Sequence, residues 1–324
     1  MIEPYRRELS LHCYRMMGSL QDAEDMVQET MLRAWRHFDT FHGAASLRTW
    51  LYTIATNVCL DALKKRQSRT LPMAGYPVAD PLRPIAAATA EALWLEPLPD
   101  SWLVEAAENP EARFTRHESV SLAFLTVLQL LPPRQRAIVI LCDVLEWHAS
   151  EVAELLGLSA SAVNSALHRA RVTLAKNYRS DDQREMVQER HVDDAMNALL
   201  HRYMCAWETD DVDGIVALLK EDATLAMPPI PSWYQGRDAV RAILAVGPFG
   251  VEVPRRWRLR QTRANGQPAF VFYRADTASG KYTAFGVQVV TVDSSSPTGQ
   301  IADMTIFKNA AIVPLFGFPL EIGG

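Results

Sequence analysis

The sequence predicts a multidomain protein with two all-α helical domains followed by an α+β domain. Apolar residues recur at intervals of three and four through residues 8–66 and 111–179. Six prolines interrupt residues 71–109 between them, and alternating stretches near the C-terminus are typical of strands. A chain of 324 residues also exceeds what one hydrophobic core usually serves. The expected parts are residues 1–70, an extended connector at 71–112, residues 113–179 and residues 180–324.

Charge is unevenly distributed along the chain, whose net charge is -5. Residues 1–70 carry ten Lys and Arg against eight Asp and Glu, and residues 113–179 carry eight against five. The 71–112 segment carries one Arg against seven acidic residues, and residues 180–324 carry fourteen basic against eighteen acidic residues. On their own, the two helical domains can therefore bind the phosphates of a DNA backbone only weakly. A partner that supplies most of the backbone contacts is expected.

Composition disfavours several classes of protein. Apolar residues make up 48% of the chain and charged residues 22%, as in globular proteins. The sequence has neither an apolar run of about 18 residues nor an N-terminal signal pattern, so no membrane association and a cytoplasmic location are expected. The four cysteines form no C-x-x-C pair, which predicts no metal site and reduced, mostly buried thiols. No cofactor is expected.

The stretch "DAEDMVQETMLRAWRHF", residues 22–38, predicts an amphipathic helix. One face carries apolar side chains and is expected to be buried: Ala23, Met26, Val27, Ala34, Trp35 and Phe38. The other face is acidic and polar, with Asp22, Asp25, Gln28 and Glu29. A solvated surface would explain such a stripe if the stretch stood alone.

The next stretch, "FHGAASLRTWLYTIATNVCLDALKKR", predicts a loop that leads into a second helix. Basic side chains alternate with aromatic and polar ones, namely Arg48, Trp50, Tyr52, Asn57 and Lys64. This mixture suits a surface that holds a nucleic-acid backbone and stacks on exposed bases. A core position for Trp50 and Tyr52 stays open as the alternative.

Residues 150–171, "SEVAELLGLSASAVNSALHRAR", predict a helix-turn-helix. Ser150 and Ser159 are fitting helix N-caps, and Gly157 is a fitting turn residue. The outer side chains of the second helix can hydrogen-bond base edges and phosphates: Asn164, Ser165, His168, Arg169 and Arg171.

The order of these blocks resembles the sigma-70 family, in the extracytoplasmic-function (ECF) group, over residues 5–179. The resemblance implies two partners, promoter DNA and the RNA polymerase core through its β′ and β subunits. It implies that the first block binds the core enzyme, the second melts and reads the minus-10 element, and the helix-turn-helix reads minus-35. By position, Asp22, Asp25, Gln28 and Glu29 become core-binding candidates. The minus-10 candidates are Arg48, Trp50, Asn57, Asp61 and Lys64, and the minus-35 candidates are Asn164, Ser165, His168, Arg169 and Arg171.

The C-terminal pattern is similar to the SnoaL-like, ketosteroid-isomerase-like cone fold. Relatives with such a domain imply a regulatory role, and a small-molecule ligand is left open. Six aromatic residues either line a cavity or form core: Trp207, Trp233, Tyr234, Trp257, Phe272 and Phe285. Candidate acid/base carboxylates at Asp210, Asp211, Asp213, Asp276 and Asp303 make no compelling pair, so no catalytic residue is predicted.

The function predicted from the sequence is a sigma factor that directs core polymerase to specific promoters and is modulated by its C-terminal domain. The alternative is a one-component helix-turn-helix regulator in which the cone domain binds a ligand. The block at residues 22–66 discriminates between them, because such a regulator has no use for it. A cone-fold isomerase or cyclase with an added helical region is a third class.

Overall fold

The computed structural model describes residues 2–41, 46–64, 67–89, 94–103, 119–177, 191–250, 256–293 and 299–323, which group into two units. The first unit comprises Met1–Thr70 and Leu93–Arg179, and the second comprises Leu71–Ala92 and Ser180–Gly324. The segment expected to form one connector, residues 71–112, is thus shared between the units, and its residues 104–112 lie outside the described residues. Within the described ranges, no helix has the length and apolar character needed to cross a membrane.

Three helices form the N-terminal part of the first unit: α1 Arg6–Met17, α2 Leu20–Arg36 and α3 Leu47–Leu63. The side chain of Ser19 accepts a hydrogen bond from the backbone N–H of Asp22 and so caps α2. The helical character expected for residues 8–66 is confirmed over residues 8–17, 20–36 and 47–63.

The described residues 119–177 of the first unit contain four α-helices: α4 Leu122–Leu130, α5 Pro133–Val139, α6 Ala149–Leu156 and α7 Ala160–Asn177. Gly157 ends α6 in the left-handed conformation, with φ 64°. Ser159 accepts a hydrogen bond from the backbone N–H of Ala162 at 3.1 Å, so it caps α7 as expected. The cap expected at Ser150 is wrong. The N-cap of α6 is His148, whose backbone N–H donates to the Glu151 carboxylate at 2.8 Å.

A fully buried arginine joins the two halves of the first unit. Arg136 on α5 has 0% exposure and donates through Nη1 to the carbonyl oxygen of Met16 on α1 at 2.5 Å. It also donates to Oε1 of Gln129 at 2.5 Å, to the Gln129 carbonyl at 2.9 Å and to Oγ of Ser68 at 3.1 Å. Burial lowers the pKa of Arg136 to about 10. Carbonyl dipoles therefore take the place of water around this guanidinium.

Residues 94–103 pack on the N-terminal helices. The backbone N–H of Glu96 donates to the carbonyl of Gly18 at 3.0 Å, and its carboxylate accepts from the N–H of Leu20 at 3.0 Å. A Cβ on Gly18 would lie 2.6 Å from the Leu95 side chain, and its φ is 71°. Glycine at this position therefore allows both the end of α1 and the close approach of this segment.

The second unit is built on a curved sheet with strand order β2-β1-β6-β5-β4-β3. The strands are β1 Leu219–Ala226, β2 Trp233–Gln235, β3 Trp257–Ala264, β4 Gln267–Asp276, β5 Lys281–Asp293, β6 Gln300–Phe307 and β7 Glu321–Ile322. Only the β1–β6 pair is parallel among the strand pairs in the described ranges, and β7 pairs with β5. The register shifts between Phe272 and Tyr273 on β4, which bends the sheet.

Three helices cover one face of this sheet: α8 His191–Glu208, α9 Val212–Ala217 and α10 Arg237–Val246. Their apolar side chains and the sheet share one buried core, which includes Tyr203, Trp207, Phe270 and Phe272. The hydroxyl of Tyr203 donates to Oε1 of Gln288 at 2.8 Å, so both of these buried oxygens have a hydrogen-bond partner. The predicted α+β character is confirmed.

The segment that precedes Ala92 belongs to this second unit. The indole N–H of Trp233 donates to the carbonyl of Tyr76 at 2.8 Å, and the N–H of Ala79 donates to the carbonyl of Trp233 at 2.8 Å. The N–H of Thr89 donates to the carbonyl of Pro229 at 3.2 Å. A proline-rich stretch is thus held on the α+β unit mainly by backbone hydrogen bonds.

The cysteines only partly follow the expectation of burial. Cys13 and Cys59 are buried, whereas Cys142 is partly exposed and Cys205 is exposed. A hydrogen bond that the Cys59 thiol donates to Cys13, followed by burial, raises the pKa of Cys59 well above its usual value. That thiol therefore stays protonated at neutral pH.

We expect Arg136→Lys to lower the free energy of unfolding of the first unit by about 2–4 kcal/mol. A lysine ammonium cannot reach the oxygens around Met16, Gln129 and Ser68 together, so buried acceptors lose their donors. Chemical denaturation followed by circular dichroism measures the change. The matched control is Arg134→Lys, two residues away on the same helix but exposed, which should stay within about 0.5 kcal/mol of the parent. Equal stabilities for both variants would contradict this account of Arg136.

Candidate functional site

The polar face of α2 is exposed at two of its four predicted positions. Asp25 and Gln28 are exposed, while Glu29 is half-buried and pairs with Arg33 one turn later at 2.6 Å. Asp22 does not share this exposure, contrary to expectation, because its carboxylate is buried against the guanidinium of Arg69 at 2.8 Å. Asp22 therefore ties the start of α2 to Arg69, which follows α3, rather than facing solvent.

Two large apolar side chains continue the exposed face of α2. Leu32 is 48% exposed and Trp35 is 76% exposed, so the sequence-based placement of Trp35 in the core is wrong. Residues 25, 28, 32 and 35 follow the spacing of one helical face, which explains why Trp35 turns outward with Asp25 and Gln28. An exposed tryptophan beside acidic groups is typical of a protein interface. Counting the stripe from Asp25 instead of from Ala23 would have found it in the sequence.

An ion-pair chain links α2 to α3. Arg33, which the sequence analysis did not single out, pairs with Glu29 at 2.6 Å and approaches Asp61 on α3 at 3.8 Å. Asp61 pairs with Lys64 at 2.8 Å, and the lysine is the main cause that lowers the pKa of Asp61. A core-binding candidate and two minus-10 candidates therefore lie along one charged path.

The first turn of α3 presents a stacked pair. Arg48 is exposed, pairs with Glu8 at 2.8 Å and lies over the ring of Tyr52 at 5.1 Å. Tyr52 itself is 1% exposed and donates to the Glu8 carboxylate at 3.2 Å, so it is a core residue. Burial, followed by the charge of Glu8, raises the pKa of this phenol. Trp50 is half-buried against Phe41, with 5.2 Å between ring centroids.

The remaining minus-10 candidates line one exposed edge of α3. Asn57, Asp61 and Lys64 are all exposed and are spaced by four and three residues. Beneath them lies His12, fully buried, with Nε2 at 3.0 Å from Oγ1 of Thr56. Burial and the nearby Arg15 lower the pKa of His12 to about 3, so the imidazole is neutral at physiological pH.

The second helix of the helix-turn-helix separates into an inner and an outer face. Its inner stripe is buried, with Val163, Ala166, Leu167 and Ala170. Its outer face is exposed at every predicted position: Asn164, Ser165, His168, Arg169 and Arg171. Arg171 differs from the others because its guanidinium forms a fork with the Asp143 carboxylate, at 3.1 and 2.5 Å. Arg169 is thus better placed than Arg171 for contact with a phosphate.

Within the first unit, α3 also touches the segment that precedes the helix-turn-helix. The rings of Tyr52 and Trp147 lie 5.5 Å apart between centroids. This contact and the Arg136 hydrogen bonds place the minus-10 candidates and the minus-35 candidates in one compact unit.

The second unit contains a cavity of about 260 Å³ between the sheet and the helices. Four of the six aromatic residues that the sequence suggested line it: Trp207, Trp257, Phe272 and Phe285. The other two, Trp233 and Tyr234, lie on β2 outside the lining. Trp207, Trp257 and Phe272 also belong to the buried core. For these three residues, both expected roles, cavity lining and core packing, therefore hold.

The carboxylates considered for acid/base chemistry have other partners. Asp211 accepts from the N–H of Gly214 at 2.8 Å, Asp213 pairs with Arg241, and Asp303 accepts from Thr224 at 2.6 Å. None of the five aspartates is among the described residues that line the cavity. The described part of the chain also has no group of three or more His, Cys, Asp or Glu residues that could hold a metal ion.

Comparisons with known proteins find family matches in both units. Family models described as Sigma-70 region 2, Sigma-70, region 4 and SnoaL-like domain match residues 1–69, 121–174 and 200–304. The ECF RNA polymerase sigma factor SigG of Mycobacterium tuberculosis is 42% identical over 318 residues, which is 98% of this chain and 82% of that protein. SigJ of the same organism is 34% identical over 224 residues, 68% of this chain and 62% of that protein.

A solved structure extends the similarity to the fold of the whole chain. The crystal structure of the extracytoplasmic function sigma factor SigJ of Mycobacterium tuberculosis matches with a TM-score of 0.59 at 25% identity and covers 98% of both chains. Both helical blocks and the cone domain thus recur together in relatives. The chain belongs to the ECF RNA polymerase sigma factors that carry a SnoaL-like domain.

Proposed function

We propose that this sigma factor binds the β′ and β subunits of core polymerase through α2, reads minus-10 with α3 and minus-35 with α7, and is modulated by its C-terminal unit. The main support for this proposal is the exposed stripe of α2, residues 25, 28, 32 and 35, which lies beside an exposed edge of α3. The cytoplasm is the expected location, because core polymerase works there.

The one-component regulator is disfavoured by the same observation. Such a regulator needs only its helix-turn-helix and a ligand domain, and would leave the α2 face without a partner. The match of the Sigma-70 region 2 model to residues 1–69 favours the sigma factor in addition. An enzymatic role for the cone domain has no support from the described cavity lining, which lacks a carboxylate.

The α2 stripe supports a protein partner more than a nucleic acid. Asp25 and Glu29 bring negative charge, which phosphates repel, and Trp35 offers a large apolar anchor of the kind that dominates binding energy at interfaces. Polymerase contact through this face leaves the α3 edge free, because Asn57 and Lys64 belong to the neighbouring helix.

The closed first unit supports an inhibited free form. Positions -10 and -35 are roughly 85 Å apart on a duplex, at 3.4 Å per base pair. Two modules held together by Arg136 and by the Tyr52–Trp147 contact cannot span that distance, so we propose that polymerase separates them. The apparent affinity for polymerase is then reduced by the fraction of open molecules.

Polymerase binding tests the α2 assignment. We expect Asp25→Arg with Glu29→Arg to abolish co-purification with core polymerase, because the acidic group of the stripe and the neighbouring Glu29 are both reversed in charge. Trp35→Ala should weaken it by about 2 kcal/mol, as for truncation of a central tryptophan. The matched control is Glu221→Arg with Asp222→Arg, the same charge change at exposed positions of the second unit. Unaltered co-purification of the α2 variants, with folding intact by circular dichroism, would remove this assignment.

Promoter binding by the holoenzyme tests the recognition helix. Arg169→Ala should weaken all promoter complexes and reduce the salt slope by about 1, as for one lost phosphate contact. Asn164→Ala and His168→Ala should alter the base preference within minus-35, at about 1–3 kcal/mol for each lost base contact.

Arg171 needs a separate comparison, because it already pairs with Asp143. If Arg171 only holds the domain together, then Arg171→Ala and Asp143→Ala have the same effect. If Arg171 also contacts DNA, only its own substitution reduces the salt slope. A mapped minus-35 element that binds all these variants like the parent would mean that the recognition helix is misplaced.

Removal of the C-terminal domain tests modulation. We expect a fragment of residues 1–180 to bind core polymerase roughly three- to tenfold more tightly than the full chain, since a tethered domain occupies even a weak inhibitory contact. Residues 71–92 lose their packing partner in this fragment, so adding residues 180–324 in trans should reverse the gain. Surface plasmon resonance on immobilised core enzyme measures both. Equal affinities of fragment and full chain would contradict inhibition by this domain.

A further inference from the structure

The cavity of the second unit presents hydrogen-bond donors without acceptors. Gln288 is fully buried on β5 and lines the cavity. Its Oε1 accepts a hydrogen bond from Tyr203, whereas its Nε2 has no partner among the described residues. Arg256 also lines the cavity, and its buried Nη1 has no partner in the described ranges. The indole Nε1 of Trp207, which also lines the cavity, is a third such donor in the described ranges. Because an unsatisfied buried donor is unfavourable, these donors call for an acceptor.

Three cations surround the same space. Arg256, Arg274 and Lys308 all line the cavity, and none of them forms an ion pair with a described carboxylate. Arg274 and Lys308 lie over the ring of Phe285, at 5.8 and 5.5 Å from its centroid. Burial and the neighbouring Arg274 lower the pKa of Lys308, which is the expected result of cations gathered without a counter-charge.

The rest of the lining is apolar and includes Leu225, Ile230, Ile243, Leu244 and Ile306. A volume of about 260 Å³, at about 30 Å³ for each water-sized group, holds roughly nine non-hydrogen atoms. Apolar walls with a few convergent polar groups are typical of small-molecule sites. The polar groups here are all donors or cations, so they select an anion with acceptor oxygens.

We propose that this cavity binds a small monocarboxylate with an apolar body, its carboxylate held by Arg256 and Gln288 and its charge balanced by Arg274 and Lys308. The absence of a carboxylate among the described lining residues removes the repulsion that such a ligand would otherwise meet. A neutral molecule of the same shape would leave the partly buried Arg256 and Lys308 without a counter-charge, whereas Arg274 is exposed to solvent.

The segment between the two helical blocks takes part in this site. Ile85, from the part of residues 71–92 that groups with the second unit, lines the cavity together with Gly247 and Pro248. A bound apolar body therefore touches the chain that leads from α3 toward α4. Coupling of ligand binding to transcription rests on the proposed function, whereas binding itself does not.

Calorimetric titration of the full-length protein tests the site without polymerase, so its outcome is separate from that of the sigma-factor proposal. The probes are hexanoate and benzoate, which have eight and nine non-hydrogen atoms, each compared with its alcohol, hexan-1-ol and benzyl alcohol. We expect at least one acid to bind about tenfold more tightly than its alcohol, which corresponds to about 1.4 kcal/mol. Quenching of tryptophan fluorescence should accompany binding, because Trp207 and Trp257 line the cavity.

Substitutions locate the binding. Arg256→Gln and Lys308→Gln should each remove most of the preference for the acid and leave alcohol binding unchanged. The matched control is Arg260→Gln, on the same strand as Trp257 but exposed and outside the cavity lining, and it should behave like the parent. Thermal unfolding checks that each variant is folded. Equal binding of acid and alcohol, no saturable binding of either acid, or full acid binding by both cavity variants would each overturn the proposal.

Discussion

The Arg136 guanidinium is the interaction on which the first unit depends. It lies where α1, α4 and α5 converge, and it replaces water with the oxygens of Met16, Gln129 and Leu131. An apolar contact at this place would tolerate sliding, whereas a planar fork of donors fixes both distance and angle. The arrangement of the Sigma-70 region 2 and region 4 parts within the first unit therefore depends on one buried cation.

Charged paths elsewhere in the first unit work at the surface and have a different character. The chain from Glu29 through Arg33 and Asp61 to Lys64 is half-exposed, so each link contributes little to stability. Its importance lies in placement, because it sets the side chains of α2 and α3 relative to each other.

The sequence predicted the elements well where local rules decide. The spacing of apolar residues predicted the helices, Gly157 and Ser159 predicted the turn of the helix-turn-helix, and alternation predicted β4, β5 and β6. It failed where a distant partner decides. Asp22 was expected to be exposed, but Arg69, 47 residues away, buries it.

The exposure of Trp35 runs against its hydrophobicity and follows instead from helical spacing, because residue 35 lies on the same face as the exposed Gln28 and Leu32. The cavity was beyond reach of the sequence, since Arg256, Arg274 and Lys308 lie on three separate stretches of sequence. Only the pairing of the strands and the packing of their ends bring these cations together.

The grouping of Leu71–Ala92 with the second unit means that the polypeptide passes between the two units three times. The cone domain is therefore not a simple appendage, because part of its surface is encoded in the middle of the helical region. A relative that lost this domain by a single deletion at its 3′ end would keep a stretch selected to lie on a sheet that no longer exists. Gain or loss of the domain that leaves no such unpartnered stretch thus requires coordinated change at two distant places in one gene.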